Sequence, residues 1–365
     1  MVDLDNIQIN PDRRQWHYPA PLECISVESE FPEYIEYREP SSFVKKANIA
    51  SQPDLPKSFA YRFAPKDYKV PEHWIAKLGN ARVFSHNGVI IDEKNRLIEE
   101  LAHEFGDFPL GNRLCHYQGL PEPTKIEGRL LVIPTISGWK NYWHWMADAL
   151  PRLRGISGNY YDYVLVPAFK SYSKNSVKIC GVPTEKILWC DGASHYQADE
   201  IIAPRPTPMY CMSAASVQYI HQSYQITPSD NPHRKLYLSR GDSRRRRWLN
   251  ENDIIDLLKP YGYEVILAGE LSLREQAQLF SEAISIIGPH GAAMTNAIFT
   301  SSKAHLVECF SGDFIYPHFY NLAAVRGFTY HGHYSPNQDR SPDGYLNLAT
   351  LQPIIEKIEQ EIAGC

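Results

Sequence analysis

One segment of the 365-residue sequence combines a histidine and a carboxylate at a spacing that suits proton transfer. Within residues 141–152, a helix that continued to Leu150 and ended at Pro151 would place His144 and Asp148 one turn apart on the same face. An attacking hydroxyl loses its proton, and a histidine or carboxylate within hydrogen-bond reach is the usual acceptor. The pair is therefore a candidate general base, or a base with its orienting carboxylate. The alternative is a His–Asp pair that only stabilises the helix.

A second segment has the residue types of an anion-binding turn. Gly288-Pro289-His290-Gly291-Ala292 links an apolar run, predicted to be a strand, to a predicted helix. Paired glycines let the backbone approach a ligand, and a helix N-terminus presents free N–H groups and a partial positive charge. The turn suits a diphosphate, and the alternative is a tight turn that binds nothing. No Gly-x-Gly-x-x-Gly follows any predicted strand, so the turn is not a dinucleotide fingerprint.

Arginines are concentrated after the first predicted strand of the C-terminal half. Five lie within eight residues, at position 240 and at positions 244 to 247. Planar guanidinium groups make bidentate contacts to phosphate oxygens, so the run predicts a local anion site. Arg240 is the best candidate because the strand fixes its position. The alternatives are a solvated basic loop or a loop that touches nucleic acid.

A carboxylate lies near the end of the last predicted strand of this half. Glu308 there could accept hydrogen bonds from both hydroxyls of a ribose, and the alternative is an edge glutamate paired to an arginine. The only Asp-x-Asp in the sequence is Asp3-Leu4-Asp5. A metal–diphosphate site of that kind is therefore not indicated, and no metal ligand is predicted.

The elements that must position these residues are clearest in the C-terminal half. Asn250 is a candidate helix N-cap, and Ser272 with Glu275 forms a capping box. The pattern predicts strands at 235–239, 263–267, 284–287 and 305–309, and helices at 250–258, 272–283, 292–299 and 348–362. Alternating strands and helices indicate a parallel, Rossmann-like sheet whose ligand lies at the carboxyl ends of the strands.

The N-terminal half is less regular, and the chain is long enough for two domains. Residues 1–80 are rich in Pro, Tyr and charge and show no sustained period, which predicts an irregular extension packed on the first domain. Short β-branched runs at 83–91, 129–133, 163–166 and 199–203 predict strands. We expect an α/β domain at 81–215, a second at 216–340 and a C-terminal helix at 341–365.

Composition excludes several classes. The formal charge of −5 gives no overall bias towards nucleic acid or an anionic membrane. Seven scattered cysteines without a Cys-x-x-Cys pair argue for reduced thiols and against a zinc or redox site. No apolar run approaches the ~20 residues that span a bilayer, and the N-terminal residues lack signal-peptide character. We therefore expect a cytoplasmic, bacterial protein, with a peripheral location at the inner membrane as the alternative. The sequence does not indicate the oligomeric state.

Taken together, these segments resemble glycosyltransferase family 61. The resemblance covers about residues 129–330, and Ala293 departs from the glycine usual in the family. It rests on Asn141-Tyr142-x-His144-Trp145-x-x-Asp148-x-Leu150-Pro151-Arg152, on Leu238-Ser239-Arg240 with Arg247 and Asn250-Glu251, and on Gly288-Pro289-His290-Gly291-Ala292 with Thr295-Asn296, ending at Val307-Glu308.

The resemblance implies an α/β fold of two Rossmann-like domains facing a cleft, the GT-B type, here with the irregular N-terminal extension. It also implies inversion at the anomeric carbon, no cofactor and no essential metal, with a nucleotide-diphosphate sugar as donor substrate and a UDP-sugar favoured. Positive groups would then replace a metal at the diphosphate. The implied catalytic residues are Asp148 and His144, the donor-binding residues are Arg240, Arg247, His290, Gly291, Ala292, Asn296 and Glu308, and the acceptor-binding residues are Asn141, Tyr142 and Trp145.

The sequence thus predicts an inverting, metal-independent hexosyl- or pentosyltransferase. Its partners would be a nucleotide sugar and a glycan or polysaccharide acceptor, in bacterial surface (capsular-type) polysaccharide synthesis, with no nucleic acid and no transmembrane segment. The alternatives are a catalytically silent nucleotide- or glycan-binding protein of the same fold and, ranked lower, a nucleic-acid binder.

Overall fold

The computed structural model describes residues 17–21, 23–26, 35–39, 41–44, 49–51, 55, 61–63, 67–101, 117–207, 212–243, 245–312, 314–336 and 343–364. The chain divides into two compact units. The first contains residues 1–42 and 70–209, and the second contains residues 43–69 and 210–365. None of the helices in the described ranges combines the length and apolar character needed to cross a membrane.

The strands of the described residues are short and numerous. In chain order they are β1 (Glu23–Ile25), β2 (Ile35–Glu39), β3 (Ser42–Val44), β4 (Ile49–Ser51), β5 (Tyr68–Val70), β6 (His73–Gly79), β7 (Arg82–Phe84), β8 (Val89–Ile91), β9 (Arg96–Ile98), β10 (Thr124–Val132), β11 (Tyr163–Pro167), β12 (Ile187–Cys190), β13 (His195–Pro204), β14 (Arg234–Leu238), β15 (Tyr263–Ile266), β16 (Ala283–Pro289), β17 (His305–Ser311) and β18 (Thr329–Ser335).

The helices lie between the later strands. They are α1 (Tyr142–His144), α2 (Ser171–Ile179), α3 (Ala214–Tyr224), α4 (Glu251–Leu258), α5 (Leu273–Ser281), α6 (His318–Arg326) and α7 (Leu348–Ala363). A π-helix (Trp145–Ala149) and a 3₁₀ helix (Leu150–Leu153) continue directly from α1, and a second 3₁₀ helix (Ala292–Phe299) follows β16.

The second unit contains a parallel sheet in the order β15-β14-β16-β17-β18-β4. The four strands predicted for this half are present as β14 to β17, and the sequence patterns did not indicate β18. Counted from β14 in chain order, the strands run 2-1-3-4-5, as in doubly wound folds. In that order, ligands bind where the winding reverses, which here is at the carboxyl ends of β14 and β16.

Apolar side chains of α4 and α7 cover one face of this sheet. Ile254 on α4 and Ile355 on α7 are fully buried and belong to one cluster with Tyr237, Ile287 and Val307 of the strands. Burying a side chain of this size contributes about 1.5–3 kcal/mol. The sheet therefore has a stable platform beneath the loops at its carboxyl edge.

Two predicted helix starts have different outcomes. The capping box of Ser272 and Glu275 is confirmed, with both reciprocal hydrogen bonds formed. Asn250 precedes α4 but its side chain does not cap the helix. Its side chain instead bonds the backbone N–H and C=O of Leu346 at 2.9 and 3.0 Å, because the segment before α7 packs beside the start of α4.

The first unit has a parallel core of β12, β11, β10 and β13, with β6 and β7 antiparallel to β13. From β10 in chain order, the parallel strands run 3-2-1-4, as at the start of a Rossmann sheet. The predicted run at 83–91 is two strands, β7 and β8, joined by a turn in which Ser85 and Gly88 have positive φ. Both units are thus mixed α/β structures with parallel strands.

The N-terminal extension differs from the irregular segment expected for residues 1–80. β1 pairs with β9 and β2 pairs with β6 in the first unit, whereas β4 pairs with β18 in the second. Residues 43–69 group with the second unit and not with the first. Short strands added at sheet edges lack an internal period, so the sequence pattern gave no sign of them. Part of this extension, including residues 1–16, lies outside the described residues.

Candidate active site

The His144–Asp148 pair lies in the first unit, directly after β10. The N-cap Asn141 accepts from the backbone N–H of Trp143 at 2.9 Å and starts the helical turn. His144 Nδ1 then lies 2.7 Å from Asp148 Oδ2, and both side chains are buried. Burial raises the pKa of Asp148, and the hydrogen bond with His144 opposes that rise. The predicted pairing of the two side chains is present and shielded from bulk water.

The helix that carries the pair departs from the expected α-helix. The backbone N–H of Leu150 bonds the C=O of Trp145, five residues back, as in a π-helix. Pro151 does not end the helical segment at Leu150, since it lies inside a 3₁₀ helix that continues to Leu153. Proline is tolerated in a first helical turn, where its missing N–H has no partner to lose. Single π turns inside helices occur often at functional sites.

Arg152 fixes this segment to the sheet. Its Nη1 donates to Pro134 O at 2.7 Å, and its Nε donates to Pro204 O at 2.7 Å. Pro134 follows β10 and Pro204 ends β13, the neighbouring strands at the winding reversal. Burial lowers the pKa of Arg152 to about 9. The sequence motif contained Arg152, but nothing in the pattern indicated that it would clamp two strand ends.

In the second unit, Arg240 and Gly291 come together from the ends of β14 and β16. A β-carbon at position 291 would collide with Nη1 of Arg240, so glycine permits this close approach. The φ of Gly291 is −179°, an extended conformation that any residue adopts, so the reason for glycine is space. Arg240 Nη2 donates to Ser243 Oγ at 2.7 Å and to Arg245 O at 3.1 Å. Burial lowers the pKa of Arg240 against the opposing effect of nearby Asp242.

Arg246 lies beside the same turn. Its Nη1 donates to His290 O at 3.1 Å, and its guanidinium lies 4.3 Å from the ring centroid of Phe314. Burial and the neighbouring charge of Arg240 lower the pKa of Arg246 to about 10. Arg246 has no carboxylate partner among the described residues, so a bound anion would relieve the repulsion between the two guanidinium groups.

His290 and Glu308 link the turn to the interior of the sheet. His290 Nδ1 lies 2.5 Å from Glu308 Oε1, and the Tyr330 hydroxyl donates to Glu308 Oε2 at 2.6 Å. Burial raises the pKa of Glu308 well above its usual range and lowers the pKa of His290. The side chain of Glu308 is 0% exposed. The two carboxylate oxygens of Glu308 therefore bind His290 and Tyr330. Glu308 lies on an interior strand, and no arginine of the described residues pairs with it.

The comparison with known families agrees with this geometry. Residues 142–307 match the family model described as Glycosyltransferase 61. This segment, just under half of the chain, is therefore similar to glycosyltransferase family 61. The matched range includes the His144–Asp148 pair, Arg240, Arg246 and Gly291, and it ends one residue before Glu308.

One relative shows how limited the sequence similarity is. A beta-1,2-xylosyltransferase of Arabidopsis thaliana is 25% identical over 123 residues. The alignment covers 30% of this chain and 23% of the relative. The chain therefore matches less than a quarter of that relative's length.

The three predicted acceptor residues have different environments. Asn141 caps its helical turn, and burial raises the pKa of Tyr142, whose ring centroid lies 5.3 Å from that of Tyr172. Trp145 is fully buried, and its Nε1 donates to Ser176 Oγ at 2.7 Å. Trp145 therefore packs in the core, where a glycan has no access to it.

Trp139 is better exposed than Trp145. Its ring centroid lies 4.2 Å from that of His86 and 5.3 Å from that of Phe169, and all three side chains are partly exposed. The sequence from 139 to 145 contains four aromatic residues, Trp139, Tyr142, Trp143 and Trp145. It could not show that His86 and Phe169, from other loops, would complete a cluster with Trp139.

The predicted donor residues are only partly gathered. Gly291 and His290 lie beside Arg240, and Ala292 follows them as the first residue of the 3₁₀ helix. Arg247 instead pairs with Asp343 at 2.9 Å, and Arg244 lies outside the described residues. Asn296 is fully buried and donates to Gln276 Oε1 at 2.7 Å, so it joins α5 to the 3₁₀ helix. The helix predicted at 292–299 is a 3₁₀ helix. Within it, the side-chain Nδ2 of Asn296 donates to the backbone oxygen of Ala293, three residues back.

Proposed function

We propose that this protein is an inverting glycosyltransferase that moves a sugar from a nucleotide-diphosphate sugar to a glycan hydroxyl without a metal ion. The observation that carries the proposal is the pair of neighbouring guanidinium groups, Arg240 and Arg246, gathered at Gly291 on the carboxyl edge of β14 and β16. Two cations at the winding reversal of a doubly wound sheet suit a diphosphate.

The leaving group is a nucleoside diphosphate that gains charge as the glycosidic bond breaks. Arg240 and Arg246 are fixed by backbone carbonyls and so are oriented before the reaction begins. Preorganised donors of this kind stabilise developing charge more than mobile solvent does. His290 is held by Glu308 and keeps its backbone oxygen in position for Arg246.

The acceptor hydroxyl loses its proton to the buried pair of the first unit. An ionised Asp148 accepts a hydrogen bond from Nδ1–H of His144, and this tautomer leaves the lone pair on Nε2 free to take the hydroxyl proton. The other possibility is that Asp148 takes the proton itself. The hydroxyl oxygen attacks C1 on the face opposite the diphosphate, so the new O–C1 bond forms as the bond to the diphosphate breaks and the anomeric configuration is inverted.

The acceptor sugar has an aromatic surface available in the same unit. Trp139, with His86 and Phe169 behind it, offers ring faces on which the apolar face of a sugar can pack. Replacing Trp139 by Ala is expected to raise the KM for the acceptor and leave nucleotide affinity unchanged. We infer that Trp139, and not Trp145, contacts the acceptor.

The test is incubation of the purified protein with candidate nucleotide sugars and glycan acceptors, with and without a chelator. Release of nucleoside diphosphate that is insensitive to the chelator, and a product of inverted configuration by NMR, are the expected results. Binding of nucleotide without turnover for any donor and acceptor would instead support the silent binding protein. A role in bacterial surface polysaccharide synthesis and a cytoplasmic location stay predictions.

A further inference from the structure

An exposed aromatic ring lies beside the arginine of the anion site. Phe314 is 46% exposed, although large apolar side chains are usually buried. Its ring centroid lies 4.3 Å from the guanidinium carbon of Arg246 and 5.4 Å from the centroid of the His290 ring. The Phe314 ring is thus about half exposed to solvent and lies against Arg246, a cation of the anion site. A planar group can stack on such a ring.

The backbone around Phe314 is anchored. Ile315 is fully buried, and its C=O accepts from Arg62 Nη1 at 2.7 Å. The guanidinium of Arg62 also lies 5.0 Å from the ring centroid of Tyr316, and the centroids of Tyr316 and Phe314 are 4.9 Å apart. Phe314 is therefore exposed although the two residues that follow it, Ile315 and Tyr316, are held in place.

The loop that carries Phe314 begins at the same edge of the sheet as the anion site. β16 and β17 are parallel neighbours with Pro289 opposite Cys309, so the loop after β17 emerges at the same edge as His290 and Gly291. A diphosphate held by Arg240 and Arg246 would leave its nucleoside next to Phe314. Arg246 contacts both the turn and the loop, since it donates to the His290 backbone and lies over the Phe314 ring.

We propose that Phe314 is the stacking platform for the nucleobase of the donor, and that Arg246 joins the base subsite to the diphosphate subsite. This inference rests on the proposed function, because it takes the ligand to be a nucleoside diphosphate. Stacking uses the face of a base and not its hydrogen-bonding edge, so it tolerates every base. Phe314 thus supplies affinity for the nucleoside, and the choice among bases must come from other residues.

The experiment compares ligands with and without a base on the full-length chain. Isothermal titration calorimetry measures the affinity of UDP and of inorganic pyrophosphate for the wild type, for Phe314→Ala and for Phe314→Tyr. We expect Phe314→Ala to weaken UDP binding about tenfold to a hundredfold and to leave pyrophosphate binding within about twofold. Phe314→Tyr keeps the ring and should bind UDP like the wild type.

The matched control is Val265→Ala, because Val265 on β15 is also 46% exposed and lies in the same unit. It should change neither affinity. Unchanged UDP binding in Phe314→Ala, or an equal loss for UDP and pyrophosphate, would overturn the base platform while leaving the diphosphate site intact. A wild type that binds neither ligand would overturn the proposed function, and the base platform with it.

Discussion

The guanidinium of Arg240 lies against the backbone of Gly291, so that two residues from different loops of the sheet share one site. Any side chain at position 291 would push Arg240 out of place. The backbone conformation of Gly291 is accessible to alanine, so a substitution there tests space and not strain.

Gly291→Ala is therefore expected to weaken binding of a nucleoside diphosphate about tenfold, equivalent to about 1.4 kcal/mol, because Arg240 can no longer reach the phosphate. Titration calorimetry with UDP measures the change. Gly158→Ala is the control, since a β-carbon there meets nothing within 4 Å. Equal affinity for UDP in both variants would mean that Arg240 does not bind the diphosphate.

Asp148→Asn should lower kcat by about 100-fold to 10,000-fold, because it removes the carboxylate that orients His144 or acts as the base. Nucleoside diphosphate affinity should not change, since the binding arginines belong to the other unit. Steady-state kinetics and calorimetry separate the two effects. A variant that retains wild-type kcat would show that the pair is structural, as the alternative interpretation of the sequence holds.

Tyr330→Phe should reduce the free energy of unfolding by about 1–3 kcal/mol, because Glu308 Oε2 loses its hydrogen-bond donor in a site without solvent. Chemical denaturation measures the loss. Tyr345→Phe is the matched control, since Tyr345 is 65% exposed and its hydroxyl is solvated, and we expect a change below about 0.5 kcal/mol. Similar values for the two variants would contradict the buried Glu308–Tyr330 hydrogen bond.

Stability should fall as the pH is lowered from about 6.5 towards 4. Burial lowers the pKa of His86, His195 and His333 to about 4, and burial lowers the pKa of His331 to about 3. In this window the unfolded chain binds protons that the folded chain does not, so each such histidine favours unfolding by about 1.4 kcal/mol per pH unit.

Unfolding by denaturant at a series of pH values tests this slope. His86→Phe keeps an aromatic ring beside Trp139 but cannot bind a proton, so its stability should depend less steeply on pH than that of the wild type. Identical slopes would show that the pKa of His86 is the same in the folded and unfolded states. The raised pKa of Asp148 and of Glu308 acts in the opposite direction, since both favour folding at low pH.

Local patterns predicted the second unit well. The capping box at Ser272 and the strands β14 to β17 depend on residues a few positions apart, as does the spacing of His144 and Asp148 in the first unit. The pairing of β4 with β18 depends on residues far apart in the sequence, and no short-range period reports it. For the same reason the family resemblance implied Trp145, and not Trp139, as an acceptor-binding residue.

The arginine run illustrates the limit for the site itself. The sequence predicted Arg247 as a donor ligand, yet Arg247 pairs with Asp343 and Arg246 takes the place beside His290. Arg246 has φ +59°, a left-handed conformation that non-glycine residues seldom adopt and that redirects the chain. The left-handed backbone at Arg246 accompanies the placement of this arginine beside His290. Amino-acid composition does not predict such a backbone angle.

The pairing of Ile49–Ser51 with β18 makes the second unit a discontinuous folding module. Residues 210–365 produced alone would present the edge of β18 to solvent, and an unpaired edge promotes association between copies. A separate peptide that carries Ile49–Ser51 should bind that edge and keep the fragment monomeric. Assembly of the second unit thus requires a segment from the N-terminal part of the chain.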